Sequence, residues 1–334
     1  MRKLVVSFAI ALSVAITFAL TPTSATAADA LPPGDHELTI DFGGSARDYL
    51  VHVPARAEPG RRVPVVFNFH GGGSDAPAQK AYSQMDATAD HHGFVVVYPK
   101  GVPPAPGQRS LRTWNAGKCC GPAKRTGADD VGFTLAVLDD LARRTPVDRR
   151  RVFATGISNG GMMAYRLAVD ASKRVAAVAS VAGQVEVTRF APSRPVPVME
   201  LHSVDDPRAL YDGGLGLPFP GTAIRNQFDS VQDGIDRWVA ADGCRRTPTT
   251  GPTETGRPGS GDDGETATRI AYAPCKQGAE VVLWKLTGSG HVWPGTPIDV
   301  SGTPRGAVLG EPTRIIDANE LMWEFFAAHP LPKR

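Results

Sequence analysis

The 334-residue chain carries almost no excess charge, since 36 lysines and arginines are balanced by 34 aspartates and glutamates. This balance gives no electrostatic basis for binding nucleic acid, so we expect no such partner. The basic run at 143–151 joins a predicted helix to a predicted strand and is interpreted as a solvated turn. The sequence also lacks an internal repeat and a polar linker leading to a further module, which favours a single domain over 28–334.

Cysteine is scarce. The four cysteines show no CxxC spacing and no nearby histidine that would complete a tetrahedral site, so we expect neither a metal nor a cofactor. Four cysteines allow three pairings. We favour Cys244–Cys275, which would close the base of a Gly-, Pro- and Thr-rich loop over 247–268 that we expect to be flexible. Cys119 and Cys120 would then be either a vicinal bridge or two thiols.

The N-terminus combines a charged start, an apolar run over Leu4–Leu20 and the small residues Ala25-Thr26-Ala27. This combination is typical of a secretory signal peptide, here over 1–27. The alternative is a membrane anchor, because the run is close to the lower length limit for a span. The polar, Pro-rich sequence that follows favours cleavage. We therefore expect a secreted, extracellular monomer with no membrane contact after cleavage, in which disulfides persist.

The rest of the chain alternates predicted strands with predicted helices. Alternate apolar positions predict an antiparallel pair at 38–42 and 48–54. Continuous apolar runs, typical of strands buried on both faces, lie at 63–69, 94–99, 151–156, 176–183, 196–202 and 279–286. Helical periods fill the gaps, including helices that begin near Asp129, Ser230 and Asp317. This alternation predicts an α/β fold with a mostly parallel central sheet and helices on both faces.

The run GISNG at 156–160 matches G-x-S-x-G, a pattern that needs structural context because it arises by chance in glycine-rich chains. A predicted strand precedes it and a predicted helix follows it. Such a strand–turn–helix holds Ser158 in a tight turn, where flanking glycines relieve crowding and the helix N-terminus favours developing negative charge. We therefore predict that Ser158 is the nucleophile of an acyl-transfer reaction.

The run HGGG at 70–73 directly follows a predicted buried strand. Acyl transfer passes through an oxyanion that needs preorganised N–H donors, and glycines let the backbone present its amides without a Cβ in the way. The expected donors are the amide of Asn159 and one amide from Gly71 or Gly72. The alternative, a glycine-rich turn of no chemical consequence, is disfavoured by the predicted nucleophile downstream.

A serine hydroxyl needs a general base, and the base needs an orienting carboxylate, in the chain order Ser, acid, His. Three histidines follow Ser158. His291 lies in a Gly-rich loop just after the last predicted strand and is the expected base. His202 ends an earlier strand, before the acid, and His329 follows the last helix, where a capping role is expected.

The acid is expected in HSVDDP at 202–207, directly after a predicted strand. Asp205 and Asp206 are both candidates, and adjacent side chains of an extended backbone point in different directions. The spacing does not choose between them. Around the site, Trp114, Tyr211 and Trp293 are the candidates for substrate contacts, because aromatic rings form apolar walls for acyl groups or sugars. The alternative is that these rings pack the loops of the site itself.

Six motifs in order carry a resemblance that extends from about 36 to 328: HGGG, WNAGKCCG at 114–121, DDVGF at 129–133, GISNGGMMAY at 156–165, HSVDDP and GHVWPG at 290–295. The chain resembles the secreted esterases grouped as polyhydroxybutyrate depolymerase-like and feruloyl or acetylxylan esterase-like proteins, which are α/β-hydrolases. Their acid region reads H-G-T-x-D-P, which places the acid on Asp206, although Ser203-Val204 replaces Gly-Thr here. The resemblance also supports His291 as base and the Cys244–Cys275 bridge.

The resemblance implies a carboxylic ester hydrolase whose partner is an ester substrate: a small molecule, an oligomer or a polymer. Hydroxybutyrate-type (polyhydroxyalkanoate) esters or oligomers are the leading expectation. Because no polymer-binding module is visible in the sequence, soluble oligomers or small acyl esters are favoured over solid polymer. Feruloyl or acetylxylan esters of plant cell walls are the alternative. Two further hypotheses are a peptidase, which typically carries an added domain, and a non-catalytic binding protein, which would lack a member of the triad.

Overall fold

The protein is described by a computed structural model over residues 31–56, 61–108, 110–218, 224–298 and 306–333. The predicted signal peptide over 1–27 lies outside these ranges. The strands are β1 (Gly34–Phe42), β2 (Ser45–Val53), β3 (Val63–Phe69), β4 (Val95–Pro99), β5 (Val147–Ile157), β6 (Ala177–Val181), β7 (Val198–Ser203), β8 (Gly214–Leu215), β9 (Gln227–Phe228), β10 (Thr249–Thr255), β11 (Thr266–Tyr272) and β12 (Val281–Thr287). The helices are α1 (Ala76–Ser83), α2 (Met85–His92), α3 (Gly121–Arg125), α4 (Asp130–Arg144), α5 (Asn159–Asp170), α6 (Val231–Ala241), α7 (Gly306–Leu309) and α8 (Ala318–Ala328).

Ten of these strands form one sheet in the order β1-β2-β4-β3-β5-β6-β7-β12-β11-β10. The six strands from β4 to β12 pair in parallel, and antiparallel strands flank them on both sides. The remaining two strands, β8 and β9, pair with each other. The predicted α/β fold with a mostly parallel sheet is confirmed, because the continuous apolar runs became its central, fully buried strands.

Helices cover both faces of the sheet, and alternate residues of one strand enter two different cores. In β3, Phe67 belongs to the core beneath α4, α5 and α6, whereas its neighbour Val66 belongs to the core beneath α1, α2 and α8. The last helix closes the second core with Phe325 and Phe326. Its predicted N-cap is confirmed, since the Asp317 carboxylate accepts hydrogen bonds from the amides that open α8.

Strands β10 and β11 form a β-hairpin, so within the loop predicted over 247–268 only the connection at 256–265 lies between strands without regular structure. Strands β10 and β11 pair antiparallel, and β11 extends the sheet beyond β12. On the exposed face, the Thr253 and Thr268 hydroxyls lie 2.8 Å apart across the pair. Threonine is β-branched and suits a solvated strand. An edge strand of this kind has no apolar run, which is why the pattern did not reveal it.

Two disulfides are present among the described residues. The predicted Cys244–Cys275 bridge is confirmed and encloses the β10–β11 hairpin. Cys119 and Cys120, whose state the sequence left open, are also bridged to each other. This vicinal pair is buried in a small cluster with Ala116 and with Met162 of α5. It therefore packs the loop over 114–121 against the helix that follows Ser158.

Asp242 is a buried carboxylate at the C-terminal end of α6. Its Oδ1 accepts a hydrogen bond from the Val196 amide at 3.0 Å, and its Oδ2 has no partner among the described residues. Burial raises the pKa of Asp242 from 3.8 to about 7, and neither the Val196 bond nor the charge of Arg194 offsets it.

We expect Asp242→Asn to raise the free energy of unfolding at pH 8 by about 2–4 kcal/mol, and to change it little at pH 4. The folded-state pKa lies above the unfolded value, so the native state retains a proton that the unfolded chain releases between those values. Stability of the wild type is therefore lost as pH rises through this window. Urea unfolding at several pH values measures the effect, with Asp236→Asn, an exposed position on the same helix, as control. A gain that does not vary with pH would contradict the explanation.

Candidate active site

Ser158 occupies the sharp turn between β5 and α5, so the predicted strand–turn–helix is present. Its backbone has φ 57° and ψ −125°, a conformation that side-chain-bearing residues rarely adopt. The Ser158 amide donates to the Val181 carbonyl of β6 at 2.7 Å, and the Met162 amide donates to the Ser158 carbonyl at 2.9 Å. Such conformations cost about 1–3 kcal/mol and persist where neighbouring bonds enforce them. The turn therefore fixes the serine at the carboxyl end of the sheet.

The glycines that flank this turn allow it to lie against the end of β3. A Cβ on Gly160 would come within 2.2 Å of the Phe69 carbonyl oxygen, and one on Gly156 within 2.5 Å of the same atom. These approaches are too short for any side chain. The G-x-S-x-G pattern is thus a packing requirement at both of its glycines, and it brings Ser158 next to the HGGG loop.

His291 and Asp206 contact each other directly. The His291 Nδ1 lies 2.7 Å from Asp206 Oδ2, and both side chains are buried. The second carboxylate oxygen, Oδ1, accepts hydrogen bonds from the amides of Arg208 at 2.7 Å and Ala209 at 2.8 Å. Burial opposes ionisation of Asp206, but the charge and hydrogen bond of His291, followed by His202 and the amides, lower its pKa below the usual range. A carboxylate so placed orients an imidazole and stabilises its charged form.

Asp205, the alternative acid, faces elsewhere. Its Oδ2 accepts a hydrogen bond from the Gly288 amide at 2.7 Å, at the end of β12. It therefore supports the start of the loop that carries His291 without contacting the imidazole. Of the two candidates that the spacing left open, Asp206 is the one that contacts His291.

The HGGG loop is oriented by its own histidine. His70 is fully buried, and burial lowers its pKa to about 4, so its ring is neutral at pH 7. Its Nε2 accepts from the Gly101 amide at 3.0 Å, hence Nδ1 carries the proton and donates to the Gly71 carbonyl at 2.9 Å. In a trans peptide the C=O and N–H point in opposite directions. The Gly72 N–H is therefore directed away from His70.

The second expected donor, the Asn159 amide, lies in the first turn of α5, where no intrahelical carbonyl reaches it. The Asn159 side chain has a separate role that the sequence did not reveal. Its Oδ1 accepts from the Trp114 amide at 2.7 Å, and its Nδ2 donates to the Trp114 carbonyl at 3.0 Å. This pair of hydrogen bonds connects the loop over 114–121 to the residue next to Ser158.

A cavity of about 480 Å³ brings the predicted residues together. Ser158 and His291 lie in its wall with Gly71 and Gly72, and Asp206 stands behind His291. The volume suits a small-molecule group, since ligand sites commonly measure roughly 300–1,000 Å³. The rest of the wall includes Gln79 and Tyr82 of α1, and Val308 and Leu309 of α7. No sequence motif marks these four, because their position depends on how distant helices pack.

The aromatic residues proposed for substrate contacts are not in the cavity wall. Trp114 and Trp293 are fully buried, so the prediction was wrong for both. The Trp114 indole donates to the His70 carbonyl at 3.0 Å, and the Trp293 indole to the Asn319 side chain at 3.1 Å. Tyr211 is also absent from the wall and packs its ring near Lys285. The Trp114 and Trp293 rings hold loops in place, which is the alternative considered for them.

Within the described ranges, one group of side chains has the spacing of metal ligands: Asp35, His52 and Asp86. It lies away from the cavity, and the Lys80 ammonium contacts both of its carboxylates, 3.0 Å from Asp35. That ammonium already provides the positive charge that the carboxylates require. No helix of the described chain is both long enough and apolar enough to cross a bilayer.

Comparison with known proteins assigns the chain to a family. The family described as esterase PHB depolymerase matches residues 47–237, more than half of the chain. The chain belongs to this family. Because the family and the chain's relatives are named as esterases, this family member is a carboxylic ester hydrolase.

Three relatives show how far this similarity extends. NocK of Nocardia uniformis subsp. tsuyamanensis, named as an esterase, is 29% identical over 91% of this chain and 89% of its own length. Feruloyl esterase D of Neurospora crassa is 29% identical over 76% of this chain and 77% of its own. Feruloyl esterase B of Piromyces equi is 28% identical over 73% of this chain. The matched region covers only 42% of that relative's own length.

One solved structure has the same fold as this chain over most of the chain's length. The acetyl xylan esterase from Aspergillus awamori superposes with a TM-score of 0.51, covering 88% of this chain and 99% of that one at 15% identity. At this identity the likeness concerns the α/β-hydrolase fold alone.

Proposed function

We propose that the protein is a secreted serine esterase in which Ser158, His291 and Asp206 form the catalytic triad. The observation that carries the proposal is the cavity with Ser158 and His291 in one wall and Asp206 bonded to the far side of His291. Two disulfides support an oxidising, extracellular location, where such bonds persist. The leader-like sequence over 1–27 supports the same location.

In the proposed reaction, His291 Nε2 removes the Ser158 hydroxyl proton while Oγ attacks the ester carbonyl carbon. The Asp206 carboxylate holds the Nδ1–H tautomer and stabilises the imidazolium that forms. The tetrahedral oxyanion accepts hydrogen bonds from the amides of Gly72 and Asn159. The C–O bond then breaks, and the alcohol leaves with the proton from His291. Water attacks the acyl-serine with His291 again as base, which releases the acid and restores Ser158.

We propose hydroxybutyrate-type esters or oligomers as substrates, which the family description supports. A second candidate, feruloyl or acetylated plant cell-wall esters, is supported by the names of relatives from Piromyces equi and Neocallimastix patriciarum. Both classes share the same bond cleavage and differ in the acyl group that the cavity receives.

A paired labelling and substrate experiment tests the proposal. A fluorophosphonate probe should label the purified protein on Ser158, as mapped by peptide mass spectrometry. A parallel assay compares 3-hydroxybutyrate oligomers, methyl ferulate, acetylated xylan, short p-nitrophenyl esters and a peptide anilide. We expect ester turnover, highest on the hydroxybutyrate oligomers. Turnover of the anilide alone would indicate a peptidase, and absence of both label and turnover would indicate a non-catalytic binding protein.

A further inference from the structure

Directly behind Asp206 lies a second buried histidine with its own carboxylate. His202, at the end of β7, and Glu200, two residues earlier on the same strand, are both about 1% exposed. The His202 Nδ1 is 2.7 Å from Glu200 Oε1. On the other side of the ring, His202 Nε2 is 3.5 Å from Asp206 Oδ2, the same oxygen that contacts His291. A carboxylate oxygen of the triad is therefore enclosed by two imidazoles.

The hydrogen bonds around His202 determine where its protons lie. Nε2 is 2.7 Å from the Ala209 carbonyl, which can only accept, so Nε2 carries a proton. On the Glu200 side, Oε2 accepts from the Tyr165 hydroxyl at 2.9 Å and Oε1 from the Gly183 amide at 3.3 Å. Burial raises the pKa of Glu200, and the bond and charge of His202, together with the Tyr165 bond, oppose this rise. Because both of its oxygens accept hydrogen bonds, the geometry suits the ionised carboxylate. The His202 Nδ1 then donates to it as well.

We propose that His202 is held as an imidazolium between Glu200 and Asp206, and that Glu200 and His202 are positioning residues that set the basicity of His291 through Asp206. The effect on catalysis rests on the proposed function, whereas the charge state of His202 does not. Burial lowers the pKa of His202, but the bond and charge of Glu200, together with Asp206, raise it above the ordinary value.

The other charged or titratable groups around this pair come from several elements, and none is a fully buried cation. Arg208 follows Asp206 and directs its guanidinium to the Pro218 carbonyl at 3.1 Å. Lys285 is the neighbour of His202 on β12, and its ammonium lies 5.5 Å from the Tyr211 ring. Further titratable groups near the pair are Tyr165 of α5, which is buried against Glu200, Tyr211, whose ring packs edge-on to His202, Asp205, which accepts from the Gly288 amide, and His291 itself.

The expected consequence follows from the signs of the charges. A positive His202 attracts the negative charge of Asp206 and repels a positive His291, so it favours the neutral, catalytically competent form of His291. The enzyme then retains activity to lower pH than an isolated Asp–His pair would allow. Without the His202 charge, His291 retains its proton to higher pH. The acidic limb of the plot of kcat/KM against pH then shifts to higher pH.

Glu200→Gln tests the inference with an almost isosteric change. The amide can still accept from Tyr165 and donate to His202 Nδ1, at the expense of the weak Gly183 bond. It no longer supplies the counter-charge, so His202 becomes neutral. We expect the acidic limb to move up by about 0.5–1 pH unit, a three- to tenfold relative loss of kcat/KM at low pH, with near wild-type values at pH 8. Tyr165→Phe, which removes a hydrogen bond to Glu200 but no charge, is the matched control and should leave the limb in place.

The charge state is read independently by ¹⁵N NMR of the histidine rings in full-length protein at pH 7. We expect both His202 nitrogens to be protonated in the wild type and one of them to be unprotonated in Glu200→Gln. A neutral wild-type His202 would overturn the proposal even if ester turnover is absent. A charged His202 with an acidic limb that does not move in Glu200→Gln would overturn its action on His291. Failure of the esterase proposal alone would appear as no turnover with the NMR result intact.

Discussion

Replacing Ser158 by alanine is expected to lower kcat/KM for short p-nitrophenyl esters by about 10⁴–10⁶, because no other group at the turn can form the acyl intermediate. The residual rate would come from substrate binding and from the amides of Gly72 and Asn159, which the substitution leaves in place. Initial-rate kinetics on purified protein measure the loss. Labelling by a fluorophosphonate probe should disappear in the same variant.

A second hydroxyl in the same cavity provides the matched control. Ser110 also lines the wall, and Ser110→Ala should change kcat/KM by less than about tenfold, since it is outside the His291–Asp206 pair. Alanine at position 158 must adopt the same positive φ as serine, so circular dichroism and thermal unfolding should resemble those of the wild type. Retained turnover in a folded Ser158→Ala protein would refute Ser158 as nucleophile.

Asp206→Asn is expected to lower kcat/KM by about 10³–10⁴ through the wrong tautomer of His291. The Arg208 and Ala209 amides donate to Oδ1, so the oxygen of an introduced asparagine should stay with them. Its NH₂ group would then face His291 Nδ1 and donate to it. The proton of His291 would move to Nε2, the nitrogen that must accept from Ser158. The defect should therefore appear mainly in kcat, with KM less affected.

The neighbouring Asp205→Asn separates this effect from a general loss of charge. Both variants remove one carboxylate from adjacent positions, but Asp205 contacts the Gly288 amide rather than His291. We expect kcat/KM within about threefold of wild type, because an amide oxygen can still accept that bond. If Asp205→Asn were the more damaging change, Asp206 would not be the triad acid.

The strands that could be predicted are those whose burial requires a continuous run of apolar residues. Strand β3 is buried at every position, so its apolar run is continuous and easily recognised. Strand β10 is mostly exposed, and its threonines and glycine resemble a loop. The helix at 130–144 was recognised by apolar residues at helical spacing, namely Val131, Leu135, Leu138 and Ala142, but of these only Leu138 is buried. The buried face is centred on Phe133, Val137 and Leu141. Periodicity locates a helix more reliably than the side that it buries.

The candidate site was predictable to the extent that local backbone chemistry requires particular residues. The glycines that flank Ser158 are demanded by close approaches of the backbone, and they appear as a motif. Residue spacing could not distinguish Asp205 from Asp206, because the distinction depends on which way each side chain points after β7. Aromatic residues near the motifs were misread, since Trp114 and Trp293 bury their rings completely. The cavity wall from α1 and α7 required the tertiary structure.

The position of His291 has a consequence for how the protein is made. Its loop is held by hydrogen bonds from the His291 amide to the Leu309 carbonyl and from the Gly290 amide to the Glu311 carbonyl. The proposed base is therefore anchored by residues 309–311, which follow it in the chain. A chain that emerges N-terminus first completes the serine turn long before its base is fixed. The proposed hydrolytic activity therefore requires residues 309–311, which are synthesised after the Ser158 turn, to be in place.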